Sequence, residues 1–319
     1  MRVFDHLDQI TEPFSNAAVT IGNFDGVHVG HQALFSRVIE KARAMNGVAA
    51  AMTFDPHPLR VLREGNRPPL ITLHEQKVEL IEACGLDVLI CLPFTREFSA
   101  IGARDFVERV LVRHLGVKAL VVGPDYSFGR GREGNVDSLS RMAEEMGFEL
   151  VVLPWVEVSD QRGERISSTR IRELVADGRV GEARQLLGRN YQVRGLVERG
   201  RDRGGKLLGF PTANLKLMDE LCPKAGVYAV TVGIGDKLLQ GVANIGISPT
   251  FGENQFTVEV HVLDFSGDLY GQKIKVNFVK RLRDERKFSG LDALTAQIHK
   301  DVDLARAILA ENGTPGGRS

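Results

Sequence analysis

Hydrophobic positions along this chain follow two different rhythms. Up to about residue 188, short continuous apolar runs alternate with amphipathic stretches. The runs are "AAVTI" from Ala17, "VAAAMTF" from Val48, "LDVLICL" from Leu86, "VKALVVG" from Val117 and "FELVVLP" from Phe148. Helical periodicity fills 31–45, 74–84, 103–115 and 136–146 between them. Strands apolar on both sides belong inside a sheet covered on both faces, and intervening helices supply the crossovers for parallel pairing. The pattern predicts a doubly wound α/β domain on a parallel sheet.

After "LLGRNY" the rhythm changes. "YQVRGLVE", "GVYAVTVGI", "KLLQGVANIG", "FTVEVHVLDF" and "KIKVNFVKRL" are strand-like and are joined by Gly-, Pro- and Asn-rich turns, with little helix between them. One long amphipathic helix follows, in "GLDALTAQIHKDVDLARAILAEN". This half predicts a small antiparallel β-barrel with a C-terminal helix. The boundary is expected near Gly188–Asn190, giving domains 1–187 and 188–312, with "GTPGGRS" at 313–319 as a flexible tail.

Composition narrows the function classes. A chain of 319 residues, 43% hydrophobic and 26% charged, is that of an ordinary globular protein of roughly two domains. Lys+Arg and Asp+Glu each total 41, so no excess of positive charge points to nucleic acid. The three cysteines, Cys84, Cys91 and Cys222, are widely spaced, without a C-x-x-C pair, as expected in a reducing compartment. The charged N-terminus reads as no signal peptide, and nowhere do about 18 apolar residues run together. A cytoplasmic protein with no membrane partner is expected; whether it forms a homo-oligomer is left open.

The first candidate site is "GNFDGVHVGH", Gly22 to His31, where a strand ends and a helix begins. In a doubly wound fold, ligands bind beyond the carboxyl ends of the strands. Gly22, Gly26 and Gly30 permit a tight turn and close backbone approach, with Asn23, Phe24 and Asp25 between them. The N–H groups and dipole of a helix start favour an anion such as phosphate. His28 and His31, three apart, share one face of the first turn. Two histidines without a further ligand cluster make a poor zinc site. Each feature alone also fits packed imidazoles or a sharp turn; the whole segment points to a nucleotide.

"RISSTRIRELVADG" reads as a helix capped by Ser168 or Thr169 and stopped at Asp177-Gly178. Arg170 and Arg172 occupy its first turn, where carboxylates are preferred, which suggests either a bound anion or two solvated arginines. "GRDRGGK", Gly200 to Lys206, matches part of a P-loop but fails at Leu207, which has no hydroxyl, and at Pro211, where a helix should start. The following "GFPTANL", Gly209 to Leu215, places Thr212 and Asn214 on one face if extended. Their oxygens are suitable hard ligands for magnesium, although the segment also fits an ordinary strand start. In "FTVEVHVLDF", Val258, Val260 and Val262 share one face, and Glu259 and His261 the other.

"GNFDGVHVGH" and "ISSTRIR" resemble the two signatures of the HxGH nucleotidylyltransferases. The other segments are similar to those of prokaryotic bifunctional riboflavin kinase/FAD synthetases, over nearly the whole chain. The resemblance implies an FMN adenylyltransferase domain followed by a riboflavin kinase domain, with ATP, riboflavin and FMN as substrates and Mg²⁺ accompanying ATP. It implies that His28 and His31 stabilise the transition state of AMP transfer, that Ser168, Arg170 and Arg172 hold the leaving pyrophosphate, and that Thr169 is among the nucleotide-binding residues. "TFDPHP" and "GPDYSFG" would wall the flavin and adenine pockets, with Pro56, Pro58 and Phe128 as apolar faces and Asp125 serving the nucleotide. In the second domain it implies Gly209, Thr212 and Asn214 at ATP and Mg²⁺, Glu259 as the base for the ribityl hydroxyl, and Arg281 at the flavin. The chain departs from the family at Lys206, commonly Arg, and at Tyr126-Ser127, often an aromatic–basic pair.

Overall fold

The structure, a computed structural model, describes residues 1–62, 68–156, 165–198, 210–250 and 253–311, without the side chains of 247–250 and 253–255. Gly209, the loop 200–206 and the tail 313–319 lie outside the described residues. The chain divides into two compact units, Met1–Ser168 and Thr169–Ser319.

The first unit runs β1 (Arg2–Phe4), β2 (Ala17–Ile21), α1 (Val29–Ala44), β3 (Ala49–Phe54), α2 (Pro58–Leu62), α3 (His74–Ala83) and β4 (Val88–Leu92). It continues with α4 (Arg96–Ser99), α5 (Ala103–Asp105), a π-helical stretch Phe106–His114, β5 (Val117–Val122), α6 (Val136–Met146) and β6 (Glu149–Val152). The six strands form one sheet in the order β1-β4-β3-β2-β5-β6, and every neighbouring pair is parallel.

The unbroken apolar runs have a direct structural counterpart. Successive side chains of a strand point to opposite faces, so a strand buried on both sides feeds two cores. Ala17, Val19 and Ile21 of β2 join a core with Phe106, Val110 and Leu139, whereas Ala18 joins a second core with Phe35, Val38 and Ile81. The same alternation divides β3 between Ala50 and Met52 on one side and Ala49 and Ala51 on the other. The doubly wound expectation is met.

The order of strands reverses at β2, whose neighbours β3 and β5 lead away in opposite directions. Such a reversal opens a crevice at the carboxyl ends of the central strands, because the two connections leave on opposite faces. The segment after β2 is Gly22–His28, and the segment after β5 holds Asp125 and Phe128.

The second unit opens with α7 (Ser168–Ala176), whose first residue closes the first unit, and α8 (Val180–Leu187). Then come β7 (Tyr191–Glu198), β8 (Ala213–Lys216), β9 (Gly226–Ile234), β10 (Lys237–Thr250), β11 (Glu253–Val262), β12 (Lys273–Arg283) and α9 (Leu291–Glu311). The strands close into an antiparallel barrel, β10-β11-β8-β7-β12-β9. Val193, Val230, Ile245, Val258, Val260 and Phe278 are fully or almost fully buried.

Helix α9 lies on the outside of the barrel, with Ala305, Ile308 and Leu309 against Ala229 and Val279. An ion pair fastens it: the Arg283 guanidinium donates to the buried Asp301 carboxylate through Nε at 3.0 Å and Nη2 at 2.7 Å. Gln297 Nε2 donates to the same carboxylate at 2.7 Å. A bidentate arginine contact of this kind fixes orientation as well as distance.

Candidate active sites

In the first unit, the turn after β2 is held from below. The Asp25 carboxylate, itself buried, accepts from the backbone N–H of Ile71 at 3.1 Å and of Thr72 at 3.1 Å. Gly26 N–H donates to Thr72 Oγ1 at 3.0 Å. Gly26 has φ +86°, and a Cβ there would meet the Ile71 side chain at 3.0 Å, so glycine is required for both conformation and space. Phe24 and Val27 are buried with φ of +48° and +40°, a conformation that side-chain-bearing residues adopt only under constraint. Asn23 is exposed, while its carbonyl accepts from Thr53 Oγ1 at 3.1 Å.

The two histidines sit at the head of α1. His28 is the N-cap, and its Nδ1 accepts from the His31 N–H at 3.3 Å. An Nδ1 that accepts places the proton of a neutral ring on Nε2, which makes Nε2 a donor. The rings stack with centroids 3.5 Å apart and 19° between planes. His31 in turn meets the Phe24 ring edge-on at 5.2 Å. Gly30 lies against the pair, and a Cβ there would stand 3.2 Å from His28 Cε1 and Nδ1.

The other first-unit candidates fall into three environments. The Oγ of Ser168, the last residue of the first unit, donates to the Asp25 carbonyl in the glycine turn at 2.9 Å. It is the first helical residue rather than the cap, since the helix begins one position earlier than its hydroxyl pattern suggests. Asp125 is exposed and pairs with Arg165, whose guanidinium lies 3.3 Å from the centroid of the Trp155 ring. Pro56 is exposed and Pro58 opens α2. Phe128 is buried in a run of aromatic rings: Tyr126 stacks on it at 5.4 Å, Phe106 lies at 6.1 Å, and Phe98, Phe54 and Phe94 continue the series. Phe54 closes β3, so this aromatic row reaches the carboxyl edge of the sheet.

Sequence reasoning missed Lys77. It is buried in α3, and its Nζ donates to Thr53 Oγ1 at 3.2 Å, the Phe54 carbonyl at 3.2 Å and the Asn23 carbonyl at 3.4 Å. One ammonium thus joins the ends of β2 and β3 beneath the glycine turn. Burial lowers its pKa from the ordinary lysine value, and the charges of Asp25 and Asp55 oppose that shift. The signal was available: Lys77 stands four residues before the buried Ile81, on the apolar stripe of its helix.

In the second unit, Thr169 is exposed and Arg170 Nη1 donates to Glu173 Oε2 at 3.3 Å, one turn on. Arg172 is half-buried on the same helix.

The barrel assembles its own group. Glu259 of β11 pairs directly with Asn214 of β8 on one side and with Asn244 of β10 on the other. Val258 and Val260 point inward, which turns all three polar residues to the outer face. Thr212 precedes the start of β8 and is half-buried. Burial is the main cause that raises the Glu259 pKa, and the nearby Glu285 carboxylate adds to it. Asn244 Nδ2 donates to Glu285 Oε1 at 3.5 Å. Asn244 and Glu285 were not anticipated: they lie 41 positions apart and meet only because the segment after β12 folds across β10.

Arg281 has partners within its own unit. Its Nη2 donates to the Ala225 carbonyl at 2.6 Å and to Asp284 Oδ1 at 2.7 Å, and the guanidinium lies 5.9 Å from the Tyr228 ring centroid. A Cβ at Gly226 would come within 2.7 Å of Nη2, so a glycine makes room for it.

Comparison with known proteins matches each half of the chain to a family. Residues 10–170 match the family model described as FAD synthetase, and residues 187–309 that described as riboflavin kinase. The bifunctional riboflavin kinase/FMN adenylyltransferase of Escherichia coli K12 is 42% identical over 92% of this chain and 93% of its own length. Its counterpart from Pseudomonas fluorescens is 37% identical over 97% of this chain and 98% of its own length. A solved structure titled as a macrolide-efflux protein from Streptococcus pneumoniae superposes with a TM-score of 0.86 at 33% identity, covering 95% of this chain and 98% of that one. The chain belongs to the family of bacterial bifunctional riboflavin kinase/FMN adenylyltransferases.

Proposed function

We infer that this chain phosphorylates riboflavin with ATP to give FMN, and then transfers AMP from a second ATP to FMN, giving FAD and pyrophosphate. One observation carries the reading. A single chain holds a histidine pair at a helix head beside a sheet crevice, and a half-buried glutamate opposite an asparagine on a closed barrel. Its relatives are named for two reactions that need those two kinds of site.

In the kinase, Glu259 accepts the proton of the ribityl 5′-hydroxyl. The oxygen forms a bond to the γ-phosphorus of ATP as the bond to the departing ADP breaks. A carboxylate held above the ordinary glutamate range by burial is a stronger base than a solvated one once ionised. Asn214 and Asn244 flank it in the ladder. Thr212, Asn214 and Glu259 offer a hydroxyl, an amide and a carboxylate oxygen. This is a hard donor set with few charges, which fits a magnesium ion delivered on ATP phosphates. Thr212 and Asn214 would hold that ion, which when bound neutralises the charge of the transferring phosphoryl group.

In the adenylyltransferase, an oxygen of the FMN phosphate forms a bond to the α-phosphorus, and the bond to pyrophosphate breaks. No covalent enzyme intermediate is needed; alignment and charge stabilisation supply the acceleration. The Nε2–H of His28 donates to the charge developing on the phosphate, with His31 stacked behind it. The aromatic row ending at Phe54, together with Pro56, Pro58 and Phe128, suits the isoalloxazine ring. Asp125 serves the nucleotide. The roles of Ser168, Arg170 and Arg172 at the pyrophosphate, and of Thr169 at the nucleotide, rest on their motif. The functional modules are 1–187 and 188–312, and the chain works in the cytoplasm. Among the described residues, no helix is long and apolar enough to cross a membrane.

The test is a time course of flavin products, separated by chromatography, from riboflavin, ATP and Mg²⁺. FMN should appear first and FAD later; a preparation that yields neither flavin overturns the reading.

A further inference from the structure

The ladder between β11 and β8 stops early. Its three pairs are Val258–Leu215, Glu259–Asn214 and Val260–Ala213. Pro211, two residues before Ala213, has no N–H and cannot extend the hydrogen bonding, although its carbonyl still needs a donor. That donor is a side chain. His261 Nδ1 lies 2.9 Å from the Pro211 carbonyl oxygen. A carbonyl only accepts, so the Nδ1 of His261 carries the proton in this arrangement.

The rings add a second hold. The Phe210 ring meets the His261 ring edge-on at 5.4 Å, and on another side meets His299 of α9 at 5.0 Å. Edge-on aromatic contacts at this spacing are favourable beyond simple burial. Phe210-Pro211 is therefore tied both to β11 and to α9. Thr212 lies between a backbone pair at Ala213 and a side-chain bond at Pro211.

We propose that His261 is a positioning residue for phosphoryl transfer: by donating from Nδ1 to the Pro211 carbonyl it takes over where the ladder fails and fixes the Thr212 and Asn214 oxygens beside Glu259. The spacing supports this directly. His261 is two residues from Glu259 on the same strand face, so the base and the donor that orders its neighbours are set by one backbone. This rests on the reading of Thr212 and Asn214 as ATP and magnesium ligands.

The substitutions that isolate the claim are His261→Asn and His261→Gln in the full chain. Asparagine carries an N–H donor close to the Nδ1 position, whereas glutamine carries one close to Nε2. His261→Gln should lose kinase kcat/KM for ATP by about tenfold, the value of one net hydrogen bond. The KM for riboflavin and the rate of FAD formation from added FMN should stay unchanged. His261→Asn should recover most of that loss. Amide hydrogen exchange over 210–216 should speed up in His261→Gln and return toward the native rate in His261→Asn. Equal kinase constants in the two variants, or unchanged exchange in His261→Gln, overturn the proposal. Asn214→Ala separates the two ideas: full kinase activity in that variant removes the ligand reading, while the exchange result still decides whether His261 orders the segment.

Discussion

The imidazoles of His28 and His31 lie face to face, with 3.5 Å between centroids, and Gly30 stands against the first of them. Alanine is a better helix former than glycine by about 1 kcal/mol, so Gly30→Ala should not destabilise α1 through backbone propensity. Its Cβ would stand 3.2 Å from two atoms of the His28 ring, and that ring has His31 stacked on its face. We expect FAD synthesis in Gly30→Ala to fall by about tenfold or more, with thermal stability retained and FMN formation intact. Normal FAD synthesis would show that the stack has room to relax.

His28 has two duties, a cap through Nδ1 and a donor through Nε2, and they can be pulled apart. Asparagine is among the best N-cap residues and has no counterpart to Nε2–H. His28→Asn should therefore keep its melting temperature while FAD formation from FMN drops by about 10²–10³. Riboflavin phosphorylation in the same preparation is the internal control. Full-rate FAD production removes this imidazole from the chemistry.

Glu259→Gln should preserve the shape of β11 and abolish proton acceptance. FMN formation is expected to fall by about 10²–10⁴, while AMP transfer to supplied FMN proceeds unchanged. Equal loss of both reactions would contradict two independent centres.

The Glu259 pKa is raised first by burial and then by Glu285. The base works ionised, so kinase kcat should fall as pH drops through a value above the ordinary glutamate range. Glu285→Gln removes the repulsion that disfavours the ionised form, and the acid limb should move to lower pH. A limb that stays in place or moves upward rules out electrostatic coupling between the two carboxyls.

Asp301→Ala would strip the partner from Arg283 in a largely buried ion pair. Leaving such a charge unpaired costs about 3 kcal/mol. The loss should appear as faster native-state hydrogen exchange in β9 and β12, where α9 packs. Unchanged protection there would mean that apolar contact alone holds the helix.

The sequence made the architecture legible because both halves carry their periods openly. Val136–Met146, Tyr191–Glu198 and Gly226–Ile234 coincide with the segments read from the pattern. What escaped is short or non-local. β1 is three residues long, below any period, and exists through its pairing with β4. The π-helical form of Phe106–His114 leaves no mark in a pattern that reads simply as helical. Thr212 and Asn214 stood out because their side-chain oxygens share a face in an extended segment, and Glu259 through the resemblance to the kinase family. Asn244 and Glu285 did not, since they meet across 41 positions, and the apolar stripe that marks Lys77 as buried does not reveal its partners at the ends of β2 and β3. Asp25, expected at the nucleotide, holds the Ile71–Thr72 backbone, a use invisible until the chain is folded.

The neighbours of Glu259 in its own strand are valines that fill the barrel. Sliding β11 by a single residue would drive the carboxylate inward and turn both valines out to water, a swap no closed barrel tolerates. Closure of the barrel and outward display of this carboxylate are therefore one event, fixed by a single register.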